Sequence, residues 1–215
     1  MVSASIVHIV DDEPTFREFL QKSLEAAGFN CETYESGQAF LDRFNPNKPG
    51  CVILDLRMPD MDGLTLLQQL RSRRNEMPVI VVSAYADVAS TVTVMKLGVI
   101  DVVQKPIKLI SFFSTVKRAL DQSLEMYNRE KDKIPIRRRF DELSRREREL
   151  LELIVAGLSN KQIASRLHIS IKTVANHRAS VMTKTGAQNA ADLARISLKV
   201  GVLEEIKQKH EHGEV

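Results

Sequence analysis

The sequence predicts an α/β fold: a doubly wound parallel (βα)5 sheet followed by a small all-α unit of four helices. Three observations carry that expectation. Short apolar runs rich in β-branched residues each deliver a polar group: Ile6–Val10 leads to Asp11-Asp12, Cys51–Leu54 to Asp55, Val79–Val82 to Ser83, and Val102-Val103 through Gln104 to Lys105-Pro106. Segments of helical periodicity separate these runs, the alternation that a parallel sheet with crossover helices requires. Beyond residue 140 the strand pattern vanishes and helix-start signals follow one another closely.

Taken in order, Pro14 suits a helix start and Gly28 its C-terminal cap. Asn30–Tyr34 reads as a second strand, and Ser36 opens the next helix. After the Asp55 strand, Asp62-Gly63 begins a helix with Leu64, Leu67 and Leu70 on one stripe. Asp87 can N-cap the following helix and Gly98 can end it. The last helix of this half carries Leu109, Phe112, Phe113, Val116, Leu120, Leu124 and Tyr127. Its pattern runs toward residue 130, into a polar stretch that ends in Arg137-Arg138-Arg139. The expected division is 1–122, a linker over 123–140, a helical domain over 141–205 and a polar tail over 206–215.

In the helical domain, Ser144-x-x-Glu147 and Ser159-x-x-Gln162 are capping boxes, each of which pairs two otherwise orphaned amides. The first opens a helix bearing Leu150, Leu151 and Ile154 and closed by Gly157; the second carries Ile163, Ala164 and Leu167. His168-Ile169 is a very short turn before Ser170, which caps a helix reaching Thr185 and Gly186. Asn189 and Asp192 begin a fourth helix with Leu193, Ile196 and Leu198. A short helix, a tight turn and a longer helix form a helix-turn-helix.

Composition excludes several classes. An apolar content of 43% with 27% charged residues is that of a globular chain. No stretch approaches the ~18 apolar residues of a membrane span. The start lacks the basic region and long apolar core of a signal peptide, so a cytoplasmic location is the expectation. Cys31 and Cys51 are too few for a disulfide framework and read as small core residues. The five histidines are scattered apart from the tail pair His210 and His212, and none suggests a zinc site. Residues 1–125 carry 13 Lys and Arg against 16 Asp and Glu, whereas 126–215 carry 18 against 12. The basic half is the one expected to meet an acidic polymer.

In an open parallel sheet the strand C-termini share one edge, where ligands bind. Asp11, Asp12, Asp55, Ser83 and Lys105 would therefore meet in one cleft. Converging carboxylates repel unless a hard divalent cation binds, and Mg²⁺ prefers oxygen ligands with some waters retained. Asp55 is then an ionised carboxylate able to act as a nucleophile toward a phosphoryl group. Lys105 and the metal neutralise the transferring oxygens, and Ser83 can donate its hydroxyl to one of them. The plain alternative makes Asp11 and Asp12 helix caps and Lys105 a partner of Asp55. It leaves the coincidence of all five positions unexplained.

These residues, with Asp55-Leu56-Arg57-Met58-Pro59-Asp60-Met61-Asp62-Gly63, Ser83-Ala84 and Lys105-Pro106, resemble a response-regulator receiver domain, a flavodoxin-like fold. The resemblance implies that Asp55 is the phospho-acceptor. It also implies that Asp12, Asp55 and the Arg57 backbone carbonyl hold Mg²⁺, with Asp11 acting through water. Receivers usually carry Tyr or Phe three residues before the lysine, as a rotating switch, but here that residue is Val102, and Ile107 replaces a frequent Phe. A valine cannot make the ring movement, so relay is expected through Ser83 and its loop.

Residues 142–200 resemble the LuxR-type helix-turn-helix domain through Leu143–Glu149, Gly157–Ala164 and Thr173–Arg178. Together with the receiver, and with Tyr85-Ala86-Asp87 and Val94-Met95-Lys96, the chain is similar to NarL/FixJ-family response regulators, on the FixJ side. That implies a sensor histidine kinase and double-stranded DNA as partners, a homodimer on phosphorylation, and contact with RNA polymerase. The recognition helix would span 171–185, its N-terminal part in the major groove. Asn160, Lys161, Lys172, Thr173, Asn176, His177, Arg178 and Lys184 are the expected DNA-binding residues. Asn reads adenine bidentately, whereas Lys and Thr more often hold phosphates. Ala175 and Ala179, beside Asn176, suggest thymine-methyl contact. Arg137-Arg138-Arg139 reads as a solvated run that can also touch DNA backbone.

Two other functions fit parts of the sequence. Mg²⁺-dependent phosphohydrolases with an Asp nucleophile place a carboxylate two residues later as general acid, but that position is Arg57. A constitutive DNA-binding protein with a vestigial receiver fits Val102 but not the complete acidic set. Apart from gaining and losing a phosphoryl group, the chain is not expected to be an enzyme.

Overall fold

The computed structural model describes residues 5–73, 75–84 and 88–204, with backbone alone for 88–90. The chain divides into two compact units, Met1–Asn128 and Arg129–Val215. The first contains β1 (Ile6–Val10), α1 (Pro14–Ala26), β2 (Asn30–Tyr34), α2 (Gly37–Arg43), β3 (Gly50–Asp55), α3 (Gly63–Ser72), β4 (Val79–Ser83), α4 (Val88–Lys96), β5 (Asp101–Gln104) and the start of α5 (Leu109–Asp141). The sheet order is β2-β1-β3-β4-β5 and every pairing is parallel. Val10 lies opposite Leu54 and Tyr34, Asp55 opposite Val82, and Ser83 opposite Gln104, so the strand ends reach one edge together.

Alternation along the strands builds two cores. Val7, Ile9, Cys51, Ile53, Ile80 and Val82 pack with Leu20 and Leu24 of α1 and Phe112, Val116 and Leu120 of α5. Val10, Val52, Leu54, Val79 and Val81 pack with Phe40 of α2, Leu66, Leu67 and Leu70 of α3, and Val94 of α4. Burial on both faces is why these strands read as near-continuous apolar runs. Each such side chain contributes about 1.5–3 kcal/mol by leaving water. His8 is buried on the second face with Nδ1 3.1 Å from the Tyr34 hydroxyl, which donates to Glu32 at 2.7 Å. Burial pulls its pKa down to about 4 against the opposing charge of Glu32, so it is a neutral core residue near pH 7. Burial likewise pushes the thiol of Cys31 up to about 12, with Glu25 adding to it, and that of Cys51 upward.

Local signals act as expected at several ends. The Ser36 hydroxyl accepts from the Ala39 amide, and Asp62 accepts from Thr65 at 2.6 Å. Gly28 and Gly98 take left-handed backbone after α1 and α4. On α3 the buried stripe is Leu66, Leu67 and Leu70; Leu64 is only half-buried, because the helix turns Leu66 rather than Leu64 toward the sheet. Asp87 and the Tyr85-Ala86-Asp87 segment lie outside the described residues, as do His210, His212 and the tail. Residues 123–140, read as a linker, lie within α5. Ser123 belongs to the first unit, where its hydroxyl accepts from the Gly50 amide at 2.9 Å, while Leu124 and Tyr127 are exposed.

The second unit holds α6 (Arg145–Val155), α7 (Asn160–Leu167), α8 (Ile171–Thr185) and α9 (Ala190–Lys199), with Phe140 of α5 in its core. Leu150, Leu151, Ile154, Ile163, Val174, Val181 and Leu193 join Phe140 there. Both capping boxes form completely. Leu198, placed among the apolar residues of the last helix by sequence, is 65% exposed. The α7–α8 turn depends on His168 in left-handed backbone (φ 53°), a conformation that polar side chains tolerate better than branched ones. Among the described residues no helix is long and apolar enough to cross a membrane.

Candidate functional site

Carboxylate oxygens of Asp11, Asp12 and Asp55 lie within 4.8 Å of one another at the C-terminal edge of β1 and β3. The Lys105 ammonium donates to Asp11 at 2.9 Å and to Asp55 at 3.2 Å. Its backbone amide is fixed by the Ser83 carbonyl at 2.9 Å, which ties the ends of β4 and β5 together beneath the side chains. Ser83 is buried at the β4 tip. The structure thus brings together four of the expected polar groups, with Ser83 on the same sheet edge.

Backbone amides complete the arrangement. Glu13 donates to Asp11 Oδ1 at 2.9 Å, and Arg57 donates to Asp55 Oδ1 at 3.3 Å. Arg17 donates to the Asp11 carbonyl at 2.6 Å and anchors α1 to the end of β1. Burial raises the Asp55 pKa; Lys105 and the Arg57 amide oppose that, and the Asp11 charge adds to it. Burial would lower Lys105, but its bonds and charge interactions with Asp11 and Asp55 outweigh burial and leave it raised. Three carboxylates against one ammonium leave an excess of hard oxygen donors. That donor set suits Mg²⁺ and not a soft metal.

Gly63 sets the loop after Asp55. A Cβ there would stand 2.2 Å from the Asp55 carbonyl oxygen and 2.9 Å from Leu56 Cα, both backbone atoms that cannot swing aside. Gly63→Ala is expected to cost about 1–3 kcal/mol by overpacking and to displace Asp55. The melting temperature should fall accordingly, and a variant that melts like the wild type would contradict the close approach.

Val102 lies half-buried on β5 and packs into the α2–α4 side of the sheet. Two features of the site gave no signal in the sequence: the grip of Arg17 on the Asp11 carbonyl, and the Phe16 ring beneath the Lys105 ammonium, 3.9 Å from its centroid.

In the second unit α8 presents exposed Lys172, Ala175, Asn176 and Ala179, with Thr173, His177 and Arg178 half-buried. Thr173 is engaged by the cap, its amide donating to Ser170 Oγ. Arg178 donates to Asn160 Oδ1 at 3.2 Å and joins α8 to the start of α7; Lys161 is exposed beside it. Lys184, at the far end of α8, is engaged within the domain. Its ammonium donates to Glu147 at 2.7 Å and to the Glu142 carbonyl at 3.2 Å. Glu147 also accepts from Ser180 at 2.6 Å and from its own cap amide, Ser144, at 2.8 Å. The capping box foretold the last bond; nothing in the spacing foretold the other two.

Comparison with known proteins places both units. The response regulator receiver domain family matches residues 7–117, and the luxR family of bacterial regulatory proteins matches residues 141–197. The transcriptional regulatory protein FixJ of Azorhizobium caulinodans is 40% identical over 196 residues, covering 91% of this chain and 93% of that protein. This chain is a response regulator of the FixJ type. FixJ of Rhizobium meliloti is 40% identical over 196 residues, covering 91% of this chain and 96% of that one. TdiR of Thauera aromatica is 36% identical over 197 residues, covering 92% and 87%. Among solved structures, the response regulator StyR matches with a TM-score of 0.72 at 33% identity over 92% of this chain and 100% of that one. Full-length FixJ from B. japonicum matches at 0.55 and 34% over 94% and 99%. A FixJ-type regulator joins a receiver to a LuxR-type DNA-binding domain, and phosphorylation-switched control of transcription is the family's mechanism. A histidine kinase partner and an acidic Mg²⁺ pocket go with the receiver, and DNA binding with the helix-turn-helix.

Proposed function

We propose that Asp55 is the residue phosphorylated by the sensor histidine kinase, and that the phosphorylated state governs binding of double-stranded DNA through α8. The observation that carries the reading is the Lys105 ammonium bridging Asp11 and Asp55 while the oxygens of Asp11, Asp12 and Asp55 lie within 4.8 Å. An Asp55 oxygen attacks phosphorus; the new O–P bond forms as the P–N bond to the kinase histidine breaks, and the histidine keeps the electron pair. Lys105 faces the charge that spreads over the phosphoryl oxygens, and the Ser83 hydroxyl donates to one of them. Asp12, Asp55 and the Arg57 carbonyl would hold Mg²⁺, with Asp11 through water; when bound, the ion supplies further positive charge at those oxygens. With Val102 in place of an aromatic switch, the signal leaves through Ser83 and its loop.

On DNA, Asn176 is the base reader, exposed on α8 between Ala175 and Ala179. Lys161, Lys172, Thr173, His177, Arg178, Asn160 and Lys184 hold or orient the backbone contacts, Lys184 from its place beside Glu147. Homodimerisation on phosphorylation, contact with RNA polymerase and a cytoplasmic location complete the proposal. Intact-mass measurement after acetyl phosphate treatment, with sedimentation and gel shift on the same samples, tests it. Phosphoryl uptake without any change in assembly or DNA affinity would refute the switch.

Asn176→Ala is expected to weaken binding to a selected site by about 1–3 kcal/mol and to leave binding of unrelated DNA nearly unchanged. An equal loss on both duplexes would move Asn176 to the phosphate backbone.

A further inference from the structure

We propose that Phe16 is a positioning residue for phosphoryl transfer: the face of its ring holds the Lys105 ammonium in register with Asp55. The inference rests on Asp55 being the phospho-acceptor. Phe16 lies in the first turns of α1, half-buried against the core that α1 and α5 share with the sheet. The Lys105 ammonium stands 3.9 Å from its ring centroid, 2.9 Å from Asp11 and 3.2 Å from Asp55, and its side chain is only 16% exposed. Two carboxylates take two of its three donors, and the ring closes another side to water. A cation over an aromatic face is attracted by the ring's quadrupole, more strongly as water is excluded.

Lysine carries its charge on a flexible four-carbon stem, so the two carboxylates alone leave it room to move. The ring removes that room. Phe16 does this without being the anchor of α1, because Arg17 already ties that helix to the Asp11 carbonyl. When an Asp55 oxygen attacks the phosphorus of acetyl phosphate, the O–P bond forms, the P–O bond to the acetyl group breaks, and acetate leaves with the electron pair. Negative charge spreads over the phosphoryl oxygens, and an ammonium already fixed there needs no reorganisation. An ordinary core phenylalanine would be replaceable by leucine; a ring that acts through its π face is replaceable only by another aromatic.

The test follows phosphorylation of the full-length chain by acetyl phosphate and Mg²⁺, using intact mass, in the wild type, Phe16→Leu, Phe16→Tyr, Lys105→Met and the double variant Phe16→Leu/Lys105→Met. Phe16→Leu keeps the apolar bulk and is expected to slow uptake about 3- to 10-fold. Phe16→Tyr restores most of the rate. In the Lys105→Met background, Phe16→Leu causes no further slowing, since the group it positions is gone. Wild-type rates in Phe16→Leu, or the same slowing with and without Lys105, would overturn the proposal. Undiminished labelling of Asp55→Asn would overturn it together with the assignment of Asp55, so the two failures are distinguishable.

Discussion

Asp55→Asn is expected to abolish phosphoryl uptake from acetyl phosphate while the melting temperature of the protein holds or rises. The amide cannot attack phosphorus, because it carries no anionic oxygen. The effect on stability runs the other way. Burial already disfavours the Asp55 charge, and the nearby Asp11 carboxylate adds to that, so the ionised form is held at a cost that Lys105 and the Arg57 amide only partly offset. Asparagine keeps the shape and an oxygen to accept the Arg57 amide, now 3.3 Å from Asp55. What is lost is the 3.2 Å charge pair with Lys105, whose 2.9 Å bond to Asp11 remains. Intact mass after acetyl phosphate and a thermal melt of the same sample check both halves. Labelling of the variant at the wild-type level would remove Asp55 from its role.

The fold and the acidic cluster were legible because they depend on short-range patterns. A strand buried on both faces has to be apolar throughout, and one that ends at a ligand edge has to change character abruptly, as Leu54-Asp55 and Val82-Ser83 do. Caps were equally legible, since Ser36, Asp62, Ser144, Ser159, Ser170 and Asn189 each accept an amide three residues on. Side-chain contacts between distant elements were not. Phe16 and Lys105 are far apart in sequence, and an aromatic on a helix gives no sign that a cation will settle on its face. Lys184 reads as a DNA contact because a basic residue on a recognition helix has that meaning on average. Its partner Glu147 lies two helices earlier, and only packing of α6 against α8 reveals the pair. Leu198 fails for a related reason: helical periodicity says which residues share a face, not whether anything covers it.

Glu147→Ala is expected to lower the urea midpoint of the DNA-binding unit sharply and to leave phosphoryl uptake by the receiver untouched. Glu147 is 5% exposed and its oxygens accept from Lys184, Ser180 and the Ser144 amide. Removing one partner of a buried pair typically costs about 3–5 kcal/mol, because the groups left behind lose their hydrogen bonds without regaining water. Lys184 is 35% exposed and can turn its ammonium back to solvent, which favours the lower end, about 3 kcal/mol. Even that is a large share of the roughly 5–10 kcal/mol that holds a domain of this size. Acid reports the same network. Burial pushes the Glu147 carboxyl up, but the bonds from Lys184, Ser180 and Ser144 prevail and hold it at about 2, below its ordinary 4.5. A carboxylate lowered by folding contributes stability that is complete above pH 4.5 and is lost as pH falls toward 2. Urea unfolding of the second unit in the wild type should therefore weaken across that window, and Glu147→Gln, which cannot titrate, should flatten the dependence. A Glu147→Ala protein with the wild-type urea midpoint and full DNA affinity would show that the α6–α8 contact stands on its apolar residues alone.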